Sequence, residues 1–98
     1  MAIYVVLYKW TDQGIRNYKE TVARAEKYWA AIKAAGGRLI QEVWTLGEYD
    51  CIVLFEAPDD ETASALAFQE GSLGTVRTTT LRAFTADEMR KLIAKTSS

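Results

Sequence analysis

Apolar and polar positions follow two rhythms along this chain, and the switches between them mark its elements. Residues 2–10 (Ala-Ile-Tyr-Val-Val-Leu-Tyr-Lys-Trp) are β-branched and aromatic and read as a strand. Ile3, Val5 and Leu7 point to one side and Tyr4, Val6, Tyr8 and Trp10 to the other, so both faces are apolar. Thr11-Asp12-Gln13-Gly14 supplies turn formers that break the strand. A helix is predicted between residues 17 and 35, because Tyr18, Val22, Ala25, Trp29 and Ile32 recur as one stripe opposite Lys19, Arg24, Glu26, Lys27 and Lys33. Asn17 and Glu20 have capping-box spacing, with Thr21 as a rival N-cap. Gly36-Gly37 ends the helix by supplying a left-handed cap.

Residues 38–46 read as a second strand, with Leu39, Gln41, Val43 and Thr45 on one face and Arg38, Ile40, Glu42, Trp44 and Leu46 on the other. Gly47-Glu48-Tyr49 turns into a third strand over 50–57, again apolar front and back. Pro58 stops it, and Asp59 or Asp60 caps a second helix with Ala63, Leu66, Ala67 and Glu70 on one side. Gly71 and Gly74 bracket a loop before a fourth strand over 75–84, the most polar of the set, which suits an edge or ligand-facing position. Thr85 and Glu88 form a capping box for a short third helix carrying Met89, Leu92 and Ile93.

The predicted order is strand, helix, strand, strand, helix, strand, helix. This is the α+β, ferredoxin-like βαββαβ pattern with a short C-terminal helix and an antiparallel four-stranded sheet ordered 4-1-3-2. Both main helices then cover one face, and strands one and three leave the other face apolar. An open apolar sheet face exceeds what a soluble monomer tolerates, so a second copy is expected to pack its own sheet there. The alternative is that the third helix folds back over part of that face.

The length of 98 residues bounds the chain to one domain, 1–98. Lysine and arginine number 12 against 13 acidic residues, a net charge of -1 that argues against a nucleic-acid partner. The hydrophobic share of 49% is too high for disorder. The absence of histidine removes the commonest neutral-pH acid-base and the commonest metal and haem ligand, and the single Cys51 excludes an internal disulfide or a cysteine-rich zinc site. No cofactor and no metal are therefore expected. The apolar start is short and has no basic leader, and no apolar run reaches the roughly 20 residues that span a bilayer, so a cytoplasmic protein with no membrane partner is expected.

The topology brings the end of strand one to the starts of strands three and four. This gathers Trp10, Asp12, Gln13, Arg16, Asn17, Tyr49, Asp50, Arg77 and Thr79 as candidate ligand-binding residues. Arg77 has the geometry to clamp a carboxylate or phosphate, and a helix N-terminus adds free N–H groups, so an anionic small molecule is the implied ligand. Asp12, Asp50 and Tyr49 are the candidates for acid-base work, set against the simpler reading of the aspartates as turn and cap residues. Cys51 has no histidine partner and reads as a buried small hydrophobe, and Asp59-Asp60-Glu61 as an acidic helix start facing the macrodipole.

Gly47-Glu48-Tyr49-Asp50 resembles the signature of the GYD-domain family. The resemblance extends in order through Trp10 to Asn17, Glu56 to Glu61, Gly71 to Thr78 and Leu81 to Thr85, nearly the whole chain. One departure is the absence of a proline ahead of the first helix at Glu20-Thr21-Val22. The resemblance implies a dimeric α/β-barrel and no established reaction. The wider barrel class includes monooxygenases, ligand-sensing domains, decarboxylases and dehydratases, and fold does not choose among them. Three functions follow: a small-molecule-binding or sensing homo-oligomer; a cofactor-free monooxygenase- or isomerase-like enzyme acting on a small aromatic or acidic substrate; and a structural or partner-binding module with a filled interior.

Overall fold

A computed structural model describes residues 1–96. The elements are β1 (Ala2–Trp10), α1 (Asp12–Arg16), a 3-10 turn (Tyr18–Glu20), α2 (Thr21–Ala34), β2 (Arg38–Trp44), β3 (Cys51–Ala57), α3 (Asp60–Ser72), β4 (Val76–Ala83) and α4 (Ala86–Lys95). The four strands form one antiparallel sheet in the order β2-β3-β1-β4, as the alternation predicts. No helix is long and apolar enough to cross a membrane among the described residues.

One face of the sheet is covered by α2 and α3. Tyr4, Val6 and Tyr8 of β1 stand opposite Phe55, Val53 and Cys51 of β3 and are buried with them. α2 adds Ala25, Tyr28 and Ile32, and α3 adds Ala63, Leu66 and Glu70. The Tyr28 ring meets Phe55 and Tyr8 edge-on, at centroid distances of 6.3 and 5.9 Å, while Tyr4 stacks on Phe55 at 5.5 Å. These offset and edge contacts suit the ring quadrupoles.

The start of the helical region differs from the sequence expectation. Residues 12–16 are helical because Thr11 caps them: its side chain accepts the Gly14 N–H, and its own N–H donates to the Thr75 carbonyl at 3.1 Å. Asn17 makes no capping box with Glu20, because its side-chain amide donates backwards to the Gln13 carbonyl at 3.0 Å. The helical stripe also turns by one residue. Tyr28 rather than Trp29 is buried, and Val22 and Tyr18 are exposed. At the other end, Gly36 at φ +87° and the bonds Gly37 N–H to Ile32 and Gly36 N–H to Lys33 form the expected left-handed termination. α3 runs through Gly71, which is helical and not the start of a loop.

β2 carries the larger correction. A bulge at Ile40 breaks its register, so Leu39 faces Phe55 whereas Gln41, Glu42, Val43 and Trp44 face Leu54, Val53, Ile52 and Cys51. The extra residue shifts the period-two alternation, bringing Leu39, Glu42 and Trp44 together on the helix side and sending Val43 to the other face. Leu39 and Val43 therefore do not share a face.

The second face, with Ile3, Val5, Leu7, Ile52, Leu54 and Leu81, is left uncovered by α2 and α3. α4 does not fold back over it: α4 buries none of its residues. Its capping box is complete in both directions, Thr85 with the Glu88 N–H and Glu88 with the Thr85 N–H.

Asp59 is the N-cap of α3, its carboxylate accepting from both the N–H and the hydroxyl of Thr62 at 2.8 and 2.7 Å. Asp59→Ala removes this cap and is expected to lower the melting temperature by roughly 4–8 °C in thermal denaturation.

Candidate functional site

Polar side chains collect where the core should be driest, between the sheet and the N-terminal half of α2. Glu42 reaches this layer through the bulge, and Glu70 through its place on the Ala63, Leu66 stripe of α3. Tyr8 comes from β1, Cys51 from β3, Arg24 and Tyr28 from α2, and Thr75 from the turn before β4. They line a cavity of about 20 Å³. Roughly 10–15 Å³ accommodates one water-sized group, so the cavity takes one or two heavy atoms.

Glu42 is held from two sides. The Trp29 indole donates to Oε1 at 2.6 Å and the Cys51 thiol to Oε2 at 2.7 Å. Trp44 meanwhile donates to the Thr21 hydroxyl at 2.9 Å, tying β2 to the first turn of α2. Arg24 donates to the Asn17 carbonyl at 2.8 Å and the Gly14 carbonyl at 3.5 Å, which joins α2 to α1.

Two hydroxyls in this layer are left over. Among the described residues Tyr8 Oη and Thr75 Oγ1 are buried without a hydrogen bond of ordinary geometry, the Tyr28 hydroxyl being close enough to Tyr8 to act on its titration but not aligned to pair with it, and both residues line the cavity. A buried unpaired polar group costs about 1–3 kcal/mol, so each is a position where a bound polar atom gains.

The titration behaviour follows from burial. Glu70 is pushed up to about 7, first by desolvation and then by the nearby Glu42 carboxylate, with Arg24 pulling the other way. Burial drives the Tyr8 hydroxyl far above its ordinary value, with Tyr28 and Glu70 adding to it, and takes Tyr28 to about 12. Burial and the Glu42 carboxylate push the Cys51 thiol well up, so Cys51 is a thiol donor to Glu42 and not a nucleophile.

Arg24, Tyr28 and Glu70 also line a wider groove between α2 and α3, about 380 Å³ in volume, with Lys27, Ala31, Gln69 and Leu73. The groove and the cavity therefore share three walls. An apolar body lying in the groove would place a polar end at the Tyr8, Thr75 and Glu70 floor.

The loop residues singled out from the sequence sit at the same end of the sheet but divide among different tasks. Trp10 is the one that lines the cavity. Its N–H donates to Asp50 Oδ2 at 2.8 Å, and the Asp50 N–H donates to the Tyr8 carbonyl at 2.8 Å, so Asp50 clamps the turn to β1. The Tyr49 carbonyl accepts from the Thr45 hydroxyl at 2.6 Å, and the Lys9 ammonium lies 5.4 Å from the Tyr49 ring centroid. Asp12, Gln13, Arg16 and Asn17 are exposed on α1 and its end, where the Gln13 carbonyl accepts from Asn17. Arg77 and Thr79 pair with Lys9 and Leu7, on the face turned away from the cavity. Among the described residues Arg77 makes no ion pair.

Glu42, Glu70, Thr75, Arg24 and Tyr28 are not candidates from the sequence, and Tyr8 reads there as a core aromatic able to stack on a ligand. The readable signal was Glu70, a carboxylate within an apolar helical stripe. Glu42 carried none, because its inward position depends on the bulge.

The profile described as the GYD domain matches residues 4–93. The crystal structure of TTHA0845 from Thermus thermophilus is similar to this chain, at 26% identity and a TM-score of 0.56, covering 88% of this chain and 96% of that one. No curated protein matches.

Proposed function

This chain belongs to the GYD-domain family, and on that premise we propose that it is a small-molecule-binding protein whose ligand lies between the sheet and α2 and α3. The observation that carries the reading is the pair of unpartnered hydroxyls, Tyr8 Oη and Thr75 Oγ1, on the floor of a cavity that shares walls with the α2–α3 groove. A ligand oxygen, hydroxyl or carbonyl, accepts from both hydroxyls at once. Protonated Glu70 offers a third donor, and Arg24 and Lys27 along the groove favour an acidic substituent. Tyr28, Ala31 and Leu73 suit an apolar or aromatic body. The candidate loop residues Asp12, Gln13, Arg16, Asn17, Tyr49, Asp50, Arg77 and Thr79 then support or flank the site, with Trp10 as their contact to the cavity.

The working unit in this reading is a homodimer. The uncovered apolar face of β1, β3 and β4 is the natural contact for a second sheet, about 10 Å away, closing a dimeric α/β-barrel.

Thermal-shift screening with phenols, quinols and aromatic carboxylic acids tests the site. Wild type is expected to gain several degrees with a matching compound. Tyr8→Phe is expected to keep or slightly raise the melting temperature without ligand, because it removes an unpaired buried hydroxyl, and to lose about tenfold in affinity. A panel with no stabilising compound, or a binder indifferent to Tyr8→Phe, would overturn the reading.

A cofactor-free enzyme is the second reading, and Glu70 favours it. It is an enclosed carboxylate with a pKa of about 7, the property a general base needs at neutral pH. In this reading Glu70 takes the role that the sequence offered to Asp12 or Asp50. A reaction whose rate rises with pH through about 7, and which Glu70→Gln abolishes, distinguishes catalysis from binding.

A further inference from the structure

We propose that the groove between α2 and α3 takes a straight aliphatic chain of about ten carbons, the tail of a ligand whose polar head sits on the Tyr8 and Thr75 floor; this rests on the binding site proposed above. The open space between the helices does not end beside Gln69. A second stretch, about 530 Å³ in volume, continues it and shares Ala31 and Gln69 with the first. On α2 the wall runs from Arg24 through Ala31 to Ala35, and on α3 from Leu73 through Gln69 back to Thr62. Each wall advances eleven positions, about 16 Å at the helical rise. Two antiparallel stripes of equal length therefore bound one straight trough.

The side chains that normally fill a helix–helix contact are missing from its far half. Packed helices interdigitate side chains across about 8–10 Å. Here Ala31, Ala34, Ala35 and Ala65 present only methyl groups, and the space between them stays open. A methyl-lined trough suits methylene groups, which gain dispersion contact and need no hydrogen bond. Alanines alone would make only a cleft, and the polar end gives it a direction. The trough meets the cavity at Arg24, Tyr28 and Glu70. There Tyr8 and Thr75, 6 and 8% exposed, hold hydroxyls without a hydrogen bond of ordinary geometry. Polar demand is confined to one end and apolar surface runs to the other, which is the shape of an amphiphile. From Glu70 back to Thr62 is eight positions, about 12 Å. An extended chain advances about 1.3 Å per carbon at the ordinary C–C bond length, so about ten carbons reach from the floor to the far end. The trough lies on the helix side of the sheet, so the sheet-to-sheet dimer proposed above leaves it accessible.

Titration with the n-alkanols from butanol to tetradecanol is the test, each below its solubility limit and read by tryptophan fluorescence, because Trp10 lines the cavity. Affinity is expected to rise about two- to fourfold per methylene as far as decanol and to level beyond it. Ala65→Phe, at an exposed position, should move that break to about hexanol and leave butanol binding unchanged. Ala34→Phe, exposed on the opposite wall, should do the same and serves if Ala65→Phe fails to fold. Tyr8→Phe should weaken the whole series by one factor, about tenfold, without changing its slope. Affinity that ignores chain length while Tyr8→Phe still costs tenfold overturns the tail and leaves the polar site standing. A rise that neither Ala65→Phe nor Ala34→Phe interrupts also overturns the tail, because the chain then lies elsewhere. A series indifferent to Tyr8→Phe puts the head off the floor and overturns the binding site, and the tail with it. Alkanols that do not bind overturn the tail alone where phenols still bind, and both where phenols do not.

Discussion

Gly14→Ala lowers the melting temperature by on the order of 15 °C, corresponding to about 3 kcal/mol in a domain of this size. A Cβ built at Gly14 lies 2.0 Å from the Thr75 carbonyl oxygen and 3.2 Å from Trp10 Cβ. The clash is with backbone, and that backbone is pinned. The Thr75 carbonyl accepts the Thr11 N–H at 3.1 Å, while Thr11 Oγ1 donates to the Gly74 carbonyl at 2.6 Å and accepts the Gly14 N–H at 3.1 Å. Relief therefore moves α1 away from the start of β4, taking Thr75 and Trp10 out of the cavity wall. Ligand affinity should fall together with stability. Gly71→Ala is the control: nothing lies within 4 Å of its Cβ position, it is helical, and alanine there should add about 0.5–1 kcal/mol. Equal melting temperatures for Gly14→Ala and wild type would mean that α1 does not press on β4.

The second large effect is on pH. Glu70 has a folded pKa of about 7 against an ordinary 4.5, so between these values the folded protein holds a proton that the unfolded chain releases. Its contribution is fully present below about 4.5 and is lost as pH rises to about 7, after which the curve levels. The change is on the order of 2 kcal/mol, after discounting the partial solvent access of the carboxyl group. Glu70→Gln keeps the shape and hydrogen-bonding capacity without the charge, so its stability should be flat across that window and exceed wild type at pH 8. Asp59 and Glu88 act oppositely but at lower pH. Their hydrogen bonds to Thr62 and Thr85 hold their pKa values down, so what they contribute is lost only as pH falls through the acid range. Denaturant midpoints measured from pH 4 to 8 decide the matter, and an unchanged slope in Glu70→Gln would refute the assignment.

The fold was largely legible. Strands one and three carry apolar residues in unbroken runs, and Gly36, Asp59 and Thr85 punctuate the helices with caps that the structure uses as expected. The sheet order follows from the same pattern. The candidate site was legible only in outline. The chain order places these residues at one end of the sheet, where Trp10 lines the cavity, Asp50 bonds the turn to β1, and Arg77 and Thr79 stand on the opposite face. Tyr28 was missed because one residue of rotation along α2 exchanges it with Trp29, and periodicity tolerates either.

Local patterns in the chain determine what depends on near neighbours: strand alternation, helix caps, the polarity of each face, and the exclusion of histidine chemistry. Pairing decides what depends on distant ones. The bulge at Ile40 exists only against β3, and it alone turns Glu42 inward. The burial that brings Glu70 to neutrality and strands the Tyr8 and Thr75 hydroxyls arises from α2 and α3 closing over the sheet. Desolvation is a property of the surroundings, and no window of sequence contains its own surroundings.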